Sequence, residues 1–205
     1  MTIFFLSVFL IFPVTGALAK SSHLVVVDPA HGGQDKGVRL SEKVSEKDVT
    51  LAIAKLLKKD LDRSKNIKVL LTRTTNENVS VSNRVKIAKK ASTDLFVSLH
   101  INAGFGRNSS GFEVYFLGFD SATDKNGSNE ILKDMVTTKY LNESVKIAQI
   151  IQKNMGKIFP RKDRGLRNAP ILVLEDLTVP AVVLEIGFAT NIKDKKKLLD
   201  KSTSL

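Results

Sequence analysis

The sequence predicts a single α/β domain, a mostly parallel, twisted β-sheet flanked by helices, and three observations carry that expectation. Short apolar runs rich in β-branched and aromatic residues alternate with stretches of helical periodicity, the pattern that builds layered α/β structures. The length of 205 residues suits one domain. A composition of 42% hydrophobic and 26% charged residues is that of a globular chain with a sizeable core, and it excludes disorder, collagen and multi-pass membrane proteins.

Residues 1–19 stand apart from this pattern. Ile3 to Phe12 is almost wholly apolar, and Ala17-Leu18-Ala19 before Lys20 is a small-x-small triplet that a signal peptidase could cut. The apolar run is shorter than the roughly 20 residues that span a bilayer, and no twin-Arg is present. The expectation is an export signal over 1–19 followed by a catalytic domain over 20–205.

Within that domain, Leu24–Val27, Val69–Leu71, Leu95–Leu99, Phe112–Phe116 and Ala181–Leu184 read as strands. Val49, Ile53, Leu56, Leu57 and Leu61 form one apolar stripe of a first helix, with Ser45 and Asp48 as its capping pair. Val81, Val85 and Ala88 mark a second helix. Ala148, Ile151, Met155 and Ile158 mark a third, starting around Asn142 and ending near Pro160, and a last short helix runs from about Asn191 to Asp200. Gly118 to Asn129 breaks the periodicity and reads as a loop or insertion, with one or two helical turns over Glu130–Val136. Lys193 and Lys195–Lys197 read as a solvated helix face.

Polar residues interrupt the apolar strands at telling places. The first strand ends in Asp28 with His31 three residues on, the third ends in His100, and the last ends in Glu185. Parallel strands joined by βαβ connections would bring all three ends to one edge of the sheet, where open α/β sheets hold ligands. Gly32-Gly33 would turn the chain tightly past His31 and expose its imidazole.

The chain has no Cys and three His, which removes thiol nucleophiles, Cys-ligated zinc and iron–sulfur clusters. His31 and His100 are therefore the candidate metal ligands, and two imidazoles with one carboxylate would make a catalytic zinc site. Glu46, in the first turn of the first helix, is the candidate carboxylate, in competition with Glu42 and Asp28. The helix dipole alone would also favour an acid there. Glu185 is embedded among apolar residues and must be paired or raised in pKa. It is either a general base or half of a salt bridge to Arg73 or Arg84. No dinucleotide fingerprint, phosphate loop or nucleophile elbow is present.

Five motifs in order resemble one family: Val25-Val26-Val27-Asp28-Pro29-Ala30-His31-Gly32-Gly33, Ser45-Glu46-Lys47-Asp48-Val49, Leu71-Thr72-Arg73 with Arg84, Ser98-Leu99-His100-Ile101-Asn102-Ala103, and Leu184-Glu185-Ile186-Gly187-Phe188. Together they are similar to the zinc-dependent N-acetylmuramoyl-L-alanine amidases of the bacterial cell wall, the amidase_3 type. The resemblance implies that His31, Glu46 and His100 bind one Zn²⁺, that Glu185 is catalytic, and that Asn102 is a substrate contact. The implied reaction is hydrolysis of the amide between N-acetylmuramic acid and the L-alanine of the stem peptide. A binding protein of the same fold and a zinc peptidase of the cross-links are the rival readings.

Some members of the family insert a helix that covers the zinc until a partner removes it. The insertion expected here, about 118–140, would place Glu130 or Asp134 as regulatory acids if it acts in that way, which leaves room for a protein activator; a surface loop shaping the substrate groove is the favoured alternative. The expected partner is peptidoglycan, with a monomeric enzyme, no nucleic acid, and no membrane span after signal cleavage. The expected location is periplasmic or extracellular, at the cell wall. A formal net charge of +11 then reads as diffuse attraction to a polyanionic envelope.

Overall fold

The computed structural model describes residues 22–106, 108–118, 128–158 and 163–200. The leader expected over 1–19 lies outside them, as do residues 119–127 of the expected insertion.

Six strands form one sheet: β1 (His23–Pro29), β2 (Ile67–Leu71), β3 (Leu95–Asn102), β4 (Phe112–Phe116), β5 (Asp163–Asn168) and β6 (Ala181–Phe188). Their order is β2-β1-β3-β6-β4-β5. The first four in that order are parallel, while β4 lies antiparallel to β6 and β5 parallel to β4. The five described helices are α1 (Glu46–Leu61), α2 (Val81–Lys90), α3 (Ser128–Ile158), α4 (Leu172–Glu175) and α5 (Ile192–Leu199).

Strand alternation sorts the core onto two faces. Val27, Leu99, Ile101, Val114, Val182 and Leu184 pack with Val49 and Ala54 of α1, Ala148 of α3 and Leu198 of α5. Val26, Phe96, Ala181 and Val183 pack on the other face with Val85 and Ala88 of α2 and Val173 and Leu174 of α4. Near-continuous apolar strands are what a sheet covered on both sides requires.

The chain leaves β1 for β2 on one side, whereas it leaves β3 for the far side beyond β6. Neighbouring β1 and β3 thus send their connections in opposite directions, which opens a crevice at their C-terminal ends. Asp28 pairs in register with Ser98, and His100 with Glu185, so the strand ends singled out in the sequence do meet at one edge.

Two elements differ from the sequence expectation. The third helix is a continuous 31 residues from Ser128 rather than a short turn followed by a helix from Asn142. Lys139, Tyr140 and Leu141 carry the helix across the expected break, and no Pro or Gly between Ser128 and Met155 ends it. β5, with the sequence Asp-Arg-Gly-Leu-Arg-Asn, was not expected, since its half-exposed edge position lets it lack an apolar face.

Candidate metal centre

His31 and Glu46 arrive from opposite ends of one loop. After β1, His31 adopts φ 61°, a left-handed conformation uncommon for a residue with a Cβ. Two buried arginines hold it there. Arg73 donates to the carbonyls of Pro29 and Ala30, and Arg84 donates to those of Pro29 and, at 2.8 Å, His31 itself. Asp28, 1% exposed, balances Arg84 and also accepts from Ser98 and Thr72.

Glu46 is the first residue of α1. The helix starts where expected, with Asp48 reaching back to accept from the Ser45 backbone N–H and hydroxyl, each at 2.9 Å. Glu46 is 2% exposed, and its two oxygens are fixed by the N–H groups of Val38, at 3.0 Å, and Ile101, at 2.9 Å. Ile101 follows His100, so one segment of β3 supplies both an imidazole and the donor that orients the carboxylate.

The result is a compact donor set. Glu46 Oε1 lies 3.0 Å from His31 Nε2 and 3.2 Å from His100 Nδ1. The three ligand atoms lie within 4.8 Å of one another, a group that could hold a metal ion. The other nitrogen of His31, Nδ1, is 2.7 Å from Asp35 Oδ2, the partner that fixes tautomer and ring orientation in metal-binding histidines. Burial opposes ionisation of Glu46, yet hydrogen bonds from His100, His31, Val38 and Ile101 outweigh it and hold the carboxyl down to about 2. For His31 burial likewise acts downward, but Glu46 and Asp35 prevail and push the imidazole up to about 9. Glu46 is thereby held as the anionic donor that a divalent cation needs, and the cation would replace the proton on His31. Two imidazoles and a carboxylate fit Zn²⁺, as three protein ligands with one position open.

The rival carboxylates drop out. Asp28 is consumed by Arg84, Ser98 and Thr72, and Glu42 is exposed. His23 lies at the opposite end of β1, near Asp94.

Glu185 is the cross-strand partner of His100. The salt bridge to Arg73 or Arg84 does not form, because both guanidinium groups serve the Pro29–His31 turn. Among the described residues, Glu185 Oε2 is buried with no hydrogen-bond partner. Burial raises its pKa to about 7, with Glu46 and Glu113 adding to the rise and His100 opposing it.

Asn102 donates through Nδ2 to Glu113 at 2.9 Å. Glu113 is a polar site residue that the sequence reading missed, although it carries the same signal as Glu185, an acid within an apolar strand.

Glu130 and Asp134 sit on the first turns of α3, and their side chains are outside the described residues. The path of α3 runs against a cover over the metal. The Ser144 hydroxyl accepts from Ala181 N–H, at the end of β6 remote from Glu185, while Gln152 further along bonds Asp163 at the metal side. Asp134 precedes Ser144 by ten residues, roughly 15 Å of helix in the direction away from the cluster. The reason is the reversal of β4, which carries the chain away from the metal edge before the insertion begins.

Fold and site together define a class: an α/β domain with a His–Glu–His group at the switch point of a mostly parallel sheet, and a buried acid beside it. The chain belongs to the N-acetylmuramoyl-L-alanine amidase family Amidase_3, whose pattern matches residues 25–204. It is 30% identical to the N-acetylmuramoyl-L-alanine amidase AmiC of Escherichia coli O6:H1 over 91% of its own length and 50% of that relative. It is 31% identical to AmiA of Salmonella typhimurium, over 87% of this chain and 70% of the relative. The crystal structure of the N-acetylmuramoyl-L-alanine amidase from Clostridium difficile 630 superposes with a TM-score of 0.75 at 30% identity, covering 90% of this chain and 89% of that one. The chain thus spans about half the length of AmiC.

Proposed function

We propose that this chain is a zinc-dependent peptidoglycan hydrolase that cleaves the amide between N-acetylmuramic acid and L-alanine. Family membership supports the reaction class, and the observation that carries the mechanism is the unpartnered Glu185 oxygen beside the His31–Glu46–His100 group. His31, Glu46 and His100 would hold the ion. Zinc bound there would supply a Lewis acid and lower the pKa of water toward neutrality.

The chain's own residues do the rest. Glu185, buried beside the cluster with one oxygen unpartnered, takes a proton from the attacking water and returns it to the alanine nitrogen as the carbon–nitrogen bond breaks. Burial disfavours its charged form and so makes it a stronger base than an exposed carboxylate, which suits it to accept the proton before passing it on. Ile101 and Val38 keep Glu46 ionised and oriented, and Asp35 keeps His31 Nε2 aimed at the cluster.

Residues 1–19 are proposed to be an export signal, removed to leave a catalytic domain that works at the cell wall. Among the described residues, no helix is long and apolar enough to cross a membrane. Mass spectrometry of digested peptidoglycan, with and without chelator, tests the activity. Intact stem peptides with a free L-alanine amine, released only without chelator, are the expected products. Cleavage inside the peptides, or none, would overturn the reading. N-terminal sequencing of the exported protein tests the signal: the mature chain should begin at Lys20.

A further inference from the structure

A row of polar residues crosses three strands at the metal edge. His100 on β3 pairs in register with Glu185 on β6, which pairs with Glu113 on β4. The row continues onto β5 through a bulge: Phe112 pairs with Asp163 and Val114 with Leu166, so Glu113 alone faces both Arg164 and Gly165. Gly165 adopts φ 90°, which favours glycine. Residues three apart on a regular strand point to opposite faces. The bulge removes that parity, and Arg164 and Arg167 both turn to Glu113.

Glu113 is 3% exposed and saturated. Its Oε1 accepts from Arg164 Nε at 2.7 Å and pairs with Arg167 Nη2 at 3.2 Å, while its Oε2 accepts from Asn102 and the Tyr115 hydroxyl, both at 2.9 Å. Two guanidinium groups converge on one carboxylate, leaving a local surplus of one positive charge. Their side chains are 38% and 44% exposed, and the Arg164 guanidinium lies 5.1 Å from the centre of the Phe188 ring, a stack that fixes its plane. Each Arg has five N–H donors, and a planar fork of this kind matches a carboxylate.

We propose that Arg164 and Arg167, anchored by Glu113, form a subsite for a free carboxylate on the peptide half of the substrate. The inference rests on the amidase reading above. The sugar half offers no free carboxylate, because its lactyl acid is consumed in the amide. The alanine nitrogen is the leaving atom, and where the second residue is joined onward through its side chain, the first free carboxylate is that residue's α-carboxylate. Glu113 lies two strand spacings from His100, roughly 10 Å, a span that two to three extended residues cover. The subsite therefore reads the second residue of the stem and orients the peptide across Glu185.

The test uses N-acetylmuramoyl-L-alanyl peptides whose second residue is γ-linked D-glutamate, with its α-carboxylate either free or amidated. The intact zinc-loaded protein should prefer the free acid by about tenfold or more in kcat/KM, mostly through KM, on the scale of a charge-assisted hydrogen bond. Arg167→Gln, which keeps the Arg164–Glu113 pair and hence the local fold, should reduce the preference to about threefold or less with zinc content unchanged, and Arg164→Gln should do the same. No preference in the unaltered protein, or a preference that survives in both variants, would overturn the subsite. Calorimetry with the two sugar-free peptides reports separately from catalysis. If neither muramoyl peptide is cleaved, the amidase reading fails, while tighter binding of the acid peptide still supports the subsite and equal binding refutes it.

Discussion

A methyl group added to Gly37 would stand 2.5 Å from Oε2 of Glu46 and 2.6 Å from Cδ2 of His31. Gly37 also adopts φ 61°, so a side chain there meets both steric conflict and backbone strain. The loop between β1 and α1 closes on two of the candidate ligands only because this position has no Cβ. Gly37→Ala should weaken zinc binding by about 10- to 100-fold, comparable to the loss of a supporting group around a metal. Competition with a chromophoric chelator measures it.

Glu185→Gln should retain zinc and lose about 10² to 10⁴-fold in turnover, the scale of general acid–base catalysis. Its stability effect has a definite sign in the metal-free protein. The folded pKa, near 7, lies above the ordinary 4.5, so the folded state holds the proton longer and wild-type stability falls as pH rises from about 4.5 to 7. The Gln variant lacks that loss. It should melt several degrees above the wild type at pH 8 and near it at pH 4.5, as followed by circular dichroism.

Asp35→Ala removes the acceptor 2.7 Å from His31 Nδ1 and should lower zinc affinity about 10- to 100-fold, with Asp35→Asn losing less. Equilibrium dialysis against buffered zinc separates the three proteins.

Stripping the metal exposes the coupling between His31 and its two carboxylates. The His31 pKa is raised from 6.5 to about 9, so its contribution to metal-free stability is full below pH 6.5 and is lost as pH climbs through 9. Zinc-loaded protein should not show this decline, because the ion replaces the proton. Urea titrations of Glu185→Gln at pH 6 and 9, with and without zinc, isolate the His31 contribution from that of Glu185.

Arg84→Met should destabilise the fold by about 3–5 kcal/mol, the cost of leaving the Asp28 carboxylate buried without its counter-ion. It also removes the donor to the His31 carbonyl. Chemical denaturation measures the first effect, and zinc affinity the second.

The candidate metal edge was legible in part, because an acid or imidazole that breaks an apolar run marks where a parallel strand must end. Asp28, His100 and Glu185 carried that signal, and the absence of Cys narrowed the donors to imidazole and carboxylate. Glu46 was not separable by spacing from Glu42 and Asp28, since only the register of α1 against β3 shows which acid meets Ile101 N–H. Arg164 and Arg167 were invisible for a different reason. Their convergence depends on a bulge, and β5 has too few apolar residues to announce a strand. The length of α3 was hidden because Thr137, Thr138 and Lys139 interrupt the apolar spacing between Val136 and Leu141.

The antiparallel setting of β4 also divides the molecule by tolerance to change. The first residues of β4 and β5 lie at the edge that holds Glu185, while β4 ends at the opposite rim. That rim lies across the sheet from His100 and Glu185, so a docking module or a fused reporter joined just after Gly118 should leave the His–Glu–His edge its shape.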